Sequence, residues 1–312
     1  MISVSGLAKH YGTVKAVDGI DFTIDKNEIV GILGPNGAGK TTTLRMLTCY
    51  LTPTAGEASV KGISVHDDPI SIKRSIGYLP ESAPLYSDMV VYDYLVYVSR
   101  IQEVKETDIE ASIRYVVGKC GLSEVIGKKI GELSKGYKQR VGLASAIIHN
   151  PDILILDEPT SGLDPNQIVE IRSLIKELGK EKTVILSTHI LPEVEATCDR
   201  VIIINRGHIV ADSSTKELMS GTGRPTVIQM QLKCSASNAE IERIIKEAGN
   251  ITKVVVSGTD VKDVHIETPA NVDVREALYR LIKSTEWTLL EMKREAQNLE
   301  NIFHELTREA VS

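Results

Sequence analysis

The chain has 312 residues, 42% of them apolar and 25% charged, the composition of a globular protein with room for two domains. A net charge of −6 and a pI near 5.7 argue against a general nucleic-acid binder, which carries a basic excess. The four cysteines, Cys49, Cys120, Cys198 and Cys234, are spaced too widely for a C-x-x-C metal or redox pair and read as reduced thiols.

The opening "MISVSGLAKHYG" has no apolar core that would read as a secretory signal. The apolar runs along the chain, such as 153–156 and 201–204, fall far short of the ~20 residues that cross a bilayer. Work at a membrane would therefore go through a partner, from the cytosolic side. The first buried strand is "EIVGIL", 28–33, apolar without alternation. It runs into "GPNGAGKT", which fits G-x-x-x-x-G-K-[ST] and precedes a helix that begins near Thr41. Gly34, Pro35, Asn36, Gly37, Ala38 and Gly39 form the turn. Its glycines let backbone N–H groups point at phosphate oxygens, and the following helix aims its positive end at the same anion. Lys40 supplies a point charge to the outer phosphates, Thr41 a hydroxyl for Mg²⁺, and Thr42 continues the cradle. A plain Gly-rich strand-to-helix turn is the bland alternative.

Residues 90–102 and 108–120 read as two consecutive helices that interrupt the strand–helix rhythm, which suggests an inserted helical subdomain. "LSKGYKQR", 133–140, reads as the start of an exposed helix capped by Ser134. The next buried strand, "DILILD" at 152–157, ends in Asp157 and is followed by Glu158. Ligands in open α/β sheets bind at that edge, so Asp157 is placed to hold Mg²⁺ and Glu158 to orient and deprotonate a water. An acidic pair that merely ends a strand is the alternative, and the upstream cradle outweighs it. Asp164-Pro165 reads as N-cap and first position of a helix over 166–178. His189 follows the strand "TVILST", 183–188, on the same sheet edge, where an imidazole N–H can donate to developing charge. "RVIIIN", 200–205, is a fourth buried strand.

Around 213–225, "SSTKELMSGTGRP" ends one helix and enters a Gly/Pro-containing linker. Beyond it come a strand at 226–233, a helix at 238–248, strands at 251–257 and 261–268, a helix at 274–284 and a strand at 287–293. That is the β-α-β-β-α-β order of a ferredoxin-like fold. A last amphipathic helix carries Leu299, Ile302, Phe303 and Leu306 at helical spacing. His265 falls within a strand and reads as an ordinary strand residue.

Taken in order, Tyr11, "GPNGAGKT", "GYLPE", "LSKGYKQR", "ILILDE", "SGLD" and "STHIL" resemble the ATP-binding subunit of ABC transporters over roughly residues 1–220. The resemblance implies an α/β fold. A P-loop ABC ATPase domain at 1–220 would have a mostly parallel sheet, an antiparallel β part and a helical subdomain at about 88–148, and a C-terminal ferredoxin-like α+β domain would occupy 221–312. It implies that Tyr11 stacks on adenine, that Asp157 and Glu158 are the Walker B carboxylate and the catalytic base, and that His189 is the switch histidine. The loop from Ser161 to Asp164 would communicate between two subunits. "LSKGYKQR" in place of the common LSGGQ form, together with "LENIFHELT" at 299–307, resembles the branch that pairs with ABC-2-type permeases, which includes drug-resistance, sodium-export and gliding-motility ATP-binding subunits.

The implied protein is an ATPase that uses ATP and Mg²⁺. It would work as a head-to-tail dimer with a second copy or a paralogue, on the inner face of the membrane, beside a separate permease. Each cradle would be covered by the other copy's Ser134–Gly136 turn, where a capped helix N-terminus and a glycine suit a γ-phosphate. Glu81 stands where most of the family has Gln, and is expected to ligate the metal or its water, or else to contact the permease surface. Two other readings stay open on sequence. A soluble ABC ATPase acting on nucleic acid or ribosomes would need a coiled-coil insert or a second cassette, and neither is present. A non-enzymatic nucleotide sensor would predict a damaged Glu158 or His189, and both are intact.

Overall fold

The computed structural model describes residues 1–220, 226–270, 272–294 and 303. The chain divides into two compact units, with the division after Thr215. The first opens with long antiparallel strands, β1 (Ile2–Tyr11) and β2 (Val14–Ile24). Strand β3 (Ile29–Leu33) leads through the glycine-rich turn into α1 (Lys40–Leu47). Strands β4 (Ala55–Val60) and β5 (Ile63–Ser64) return to β1, completing an antiparallel sheet of order β2-β1-β4-β5. Helix α2 (Pro69–Ser75) and strand β6 (Ile76–Leu79) precede three helices, α3 (Val91–Ile101), α4 (Ile109–Cys120) and α5 (Lys135–Ile147). The unit continues with β7 (Ile153–Asp157), α6 (Pro165–Gly179), β8 (Thr183–Thr188), α7 (Leu191–Thr197), β9 (Arg200–Asn205) and β10 (His208–Ser214).

The six-stranded sheet has the order β10-β9-β3-β8-β7-β6, with β10 antiparallel at one edge and the rest parallel. Strands β3, β7 and β8 are buried at every position, because a parallel sheet is covered on both faces. That is why their sequences run apolar without alternation. The main core cluster includes Leu7, Ile20, Ile32, Leu44, Ile155 and Ile202, each such side chain stabilising the fold by about 1.5–3 kcal/mol. The neighbourhood β3-β8-β7 positions the site. Strands distant in sequence become adjacent, so their carboxyl ends meet. Register places Leu33 beside Thr188 and Asp157 beside Ser187.

Helix α8 (Thr215–Ser220) precedes the second unit's sheet. That unit contains β11 (Thr226–Lys233), α9 (Asn238–Lys246), β12 (Lys253–Ser257), β13 (Val261–Thr268), α10 (Arg275–Lys283) and β14 (Thr288–Arg294). All neighbours in its sheet, β12-β13-β11-β14, are antiparallel. Strand β11 alternates buried and half-buried positions, and Ile228, Met230 and Leu232 share a core with Ile241 of α9 and Leu278 of α10. His265 lies exposed in β13, in line with its reading as a strand residue. The linker residues 221–225 and the amphipathic helix expected around Leu299, Ile302 and Leu306 lie outside the described residues. Among the described residues, no helix is long and apolar enough to cross a membrane.

Candidate active site

The glycine-rich turn needs its glycines for steric reasons. Gly39 adopts φ 112, and a Cβ there would meet the carbonyl oxygen of Ala16 at 2.5 Å. Helix α1 begins directly after it with no side-chain cap, which leaves first-turn N–H groups directed at the turn. Gly34 and Ala38 are buried, Pro35 is half-buried, and Asn36 and Gly37 are exposed at the tip. Thr41 and Thr42 are half-buried in the first turn of α1. Lys40 is 6% exposed. Its Nζ donates to the carbonyls of Gly34 at 2.8 Å and Pro35 at 3.2 Å, and lies 3.4 Å from Glu158 Oε1.

At the end of β7, Asp157 is 1% exposed. Its Oδ1 accepts hydrogen bonds from Thr41 Oγ1 at 3.0 Å and from Ser187 Oγ at 2.5 Å, while Oδ2 is buried without a protein partner. Glu158 follows at φ 48, a left-handed conformation uncommon outside glycine. Its N–H is held by Ser187 Oγ at 3.0 Å and Ser187 O at 3.2 Å. The buried Glu158 carboxylate lies between Lys40 and His189, whose Nδ1 is 3.0 and 3.1 Å from its two oxygens. The imidazole itself is 45% exposed, so it can reach something outside the pocket.

Lys40, Thr41, Asp157, Glu158 and His189 thus form one connected cluster. Among the described residues, no hydrogen bond ties Glu81 to it. Glu81 is exposed on a groove of about 270 Å³ also lined by Lys135, Lys138, Gln139 and Ser161. Tyr11 is 48% exposed at the end of β1, with Lys9 Nζ over its ring at 5.5 Å from the centroid. Ser134 caps α5 by accepting the Tyr137 N–H at 3.3 Å, and Asp164 Oδ1 caps α6 through the N–H groups of Asn166 and Gln167 at 3.0 Å. Both caps match the sequence reading.

Two details were hidden in the sequence. A Cβ on Gly136 would meet the carboxamide of Gln167 at 2.6 Å, so the start of α5 rests on the start of α6 in the same chain. That gives this glycine a packing reason beside the one expected from phosphate approach. Lys135 Nζ lies against Gly162 in the loop before α6. The second is Ser187, which joins Asp157 to Glu158. Its only signal was a pair of hydroxyls, Ser187 and Thr188, ending an otherwise apolar strand.

The cluster of lysine, hydroxyl, paired carboxylates and histidine around a glycine-rich helix start suits phosphoryl chemistry. A family model described as ABC transporter matches residues 17–161. The linearmycin resistance ATP-binding protein LnrL of Bacillus subtilis (strain 168) is 30% identical over 98% of this chain and 98% of its own length. The daunorubicin/doxorubicin resistance ATP-binding protein DrrA of Streptomyces peucetius is 35% identical over 80% of this chain and 76% of its own. Among solved structures, a dimeric post-hydrolysis state of the ATP-binding cassette MJ0796 bound to ADP and Pi is similar at a TM-score of 0.64 and 25% identity, covering 69% of this chain and 98% of that one. The chain belongs to the ABC transporter ATP-binding proteins and is an ATPase of that family.

Proposed function

We propose that the chain is the energy-coupling subunit of an ABC-2-type exporter, acting on the cytoplasmic face of the membrane with a separate permease. The observation that carries the catalytic part is the contact of one buried carboxylate, Glu158, with both Lys40 and His189 beside the paired Asp157 and Thr41. The resistance functions named for LnrL and DrrA support the exporter branch. The dimeric form of the MJ0796 cassette supports a head-to-tail pair. In that pair Ser134 and Gly136 of one copy would face the cradle of the other, and Tyr11 would stack on adenine.

Mg²⁺ fits the residues present. Asp157 Oδ2 is buried and unpaired, and Thr41 Oγ1 sits on the other oxygen, so Asp157 and Thr41 would hold the ion as hard oxygen donors. When bound, it would neutralise charge on the phosphate oxygens. Glu81 would act at the groove mouth, on the metal's water or on the permease. The chain's own residues do the remaining work. Lys40 leaves the turn's carbonyls for the outer phosphates, Glu158 orients the attacking water and takes its proton, and His189 holds Glu158 while facing the transferring group. The C-terminal unit is an accessory domain.

Glu158→Gln tests the assignment. It should bind Mg-ATP, stop turning over and accumulate as an ATP-bound dimer in size-exclusion chromatography. Normal hydrolysis by this variant would overturn the base assignment. For the exporter branch, ATPase activity should change on reconstitution with a polytopic ABC-2-type permease encoded beside it, and an unaltered rate with no complex would count against coupling.

A further inference from the structure

The loop that carries Glu158 and the loop that carries His189 both contact a third carboxylate. Glu193, in the first turn of α7, is 4% exposed. One of its oxygens accepts from Thr160 Oγ1, and the other accepts from Thr188 Oγ1 at 2.8 Å. Thr188 Oγ1 in turn accepts the N–H of Ile190 at 3.0 Å. Thr160 and Thr188 are themselves 3% and 0% exposed. Thr160 stands two residues after Glu158, inside a turn closed by the Ser161 N–H on Glu158 O at 3.1 Å. Thr188 stands immediately before His189.

A carboxylate kept from water is costly, and an apolar side chain of similar size would fill the space at less cost. What an apolar residue cannot do is hold two hydroxyls at a fixed separation. Both of those hydroxyls sit on backbone that carries a group of the site. We infer that Glu193 is a positioning residue for ATP hydrolysis: it ties the Glu158 loop to the His189 loop and so sets the contact between His189 Nδ1 and the Glu158 carboxylate. Through Thr160 it also anchors the start of the Ser161–Asp164 loop. Nothing in the sequence marks it beyond a glutamate in a short helix. The inference rests on the reading of Glu158 as the catalytic base.

Four variants of the full chain test it by steady-state ATPase kinetics, binding of a fluorescent ATP analogue and thermal melting. A displacement of the base relative to its partner should lower kcat for Glu193→Ala by roughly tenfold to a hundredfold, while KM for ATP and analogue affinity stay within about twofold. Glu193→Gln keeps the shape and an acceptor and should recover most of that rate. Thr160→Val and Thr188→Val, close in volume to threonine, should each lower kcat, and their effects should combine less than multiplicatively with Glu193→Ala. The inference is overturned if Glu193→Ala keeps wild-type kcat. It is equally overturned if kcat and KM fail together in folded protein, or if both valine variants turn over normally. Where Glu193→Ala does not fold, the valine variants decide alone. Glu158→Gln separates the two levels: turnover in that variant sinks the base assignment itself. An inactive Glu158→Gln beside a fully active Glu193→Ala sinks only the positioning role.

Discussion

Ser187→Ala isolates how the site is held together. The Ser187 hydroxyl donates to Asp157 Oδ1 at 2.5 Å and accepts the Glu158 N–H at 3.0 Å, and both the serine and Asp157 are sealed from solvent. A hydrogen bond to a buried charge contributes about 1.5–3 kcal/mol and a neutral one about 0.5–1.5 kcal/mol. The Glu158 N–H retains Ser187 O at 3.2 Å, so its loss lies at the low end. Asp157, by contrast, is left with Thr41 as its single donor, because Oδ2 has none. The expected destabilisation of the first unit is therefore about 2–4 kcal/mol. Urea unfolding followed by circular dichroism measures it. Tryptophan fluorescence is unsuitable, since the single tryptophan, Trp287, packs half-buried against the core of the second unit. Turnover should fall as well, because Glu158 holds its left-handed backbone partly through this hydroxyl. A variant within about 0.5 kcal/mol of wild type would refute the claim that Asp157 depends on the serine, since surface-like neutrality is what an unimportant contact gives.

Gly136→Ala would push its methyl into the Gln167 carboxamide, the movable end of a half-buried side chain, so the fold should survive. We expect ATPase activity to drop about tenfold in both the wild-type and Gln167→Ala backgrounds, in line with a lost backbone approach to phosphate; rescue by Gln167→Ala would instead assign the glycine to packing alone. In the second unit, the Arg275 guanidinium beside Asp273 holds its carboxyl down at about 2, against an ordinary value of 3.8. Because the folded value is depressed, the ionised pair stabilises this unit above the unfolded value and its contribution disappears as pH falls from about 4 to about 2. An NMR titration should show that inflection near 2, and Arg275→Gln should return it towards 3.8; no movement in the variant would exclude the arginine as the cause.

How much could be read from residues alone depended on whether the signal was local. The strands β3, β7 and β8 were legible because burial on both faces writes an unbroken apolar run. The Ser134 and Asp164 caps were legible because a cap bonds to N–H groups two or three residues away. The long strands β1 and β2 gave weaker patterns. Their pairing shifts register three times, and each shift breaks the alternation that marks a half-buried strand. In the site, Lys40, Thr41, Asp157, Glu158 and His189 each sit in a recognisable local pattern. Ser187, Glu193 and Gln167 do not, because what each does is set by a neighbour that only strand order and register bring near.

That difference points to how the site divides its labour. The groups proposed to meet phosphate, metal or water sit at strand ends or in the first turn of a helix, where backbone geometry is shared by many sequences and local patterns suffice. The groups that fix their separations reach between segments: Ser187 from β8 to β7, Glu193 from α7 to the loops after β7 and β8, Gln167 from α6 to α5. Each such tie joins parts of the chain that are distant in sequence. A hydrolysis site that must close and reopen needs its reacting groups rigid within each state and its segments free to shift between states. Short polar ties between loops can break and re-form with little loss of packed apolar area, which a hydrophobic contact in the same places could not do. The buried ties of Glu193 to Thr160 and Thr188 are therefore the part of this ATPase in which sequence changes would alter rate while leaving nucleotide affinity nearly intact.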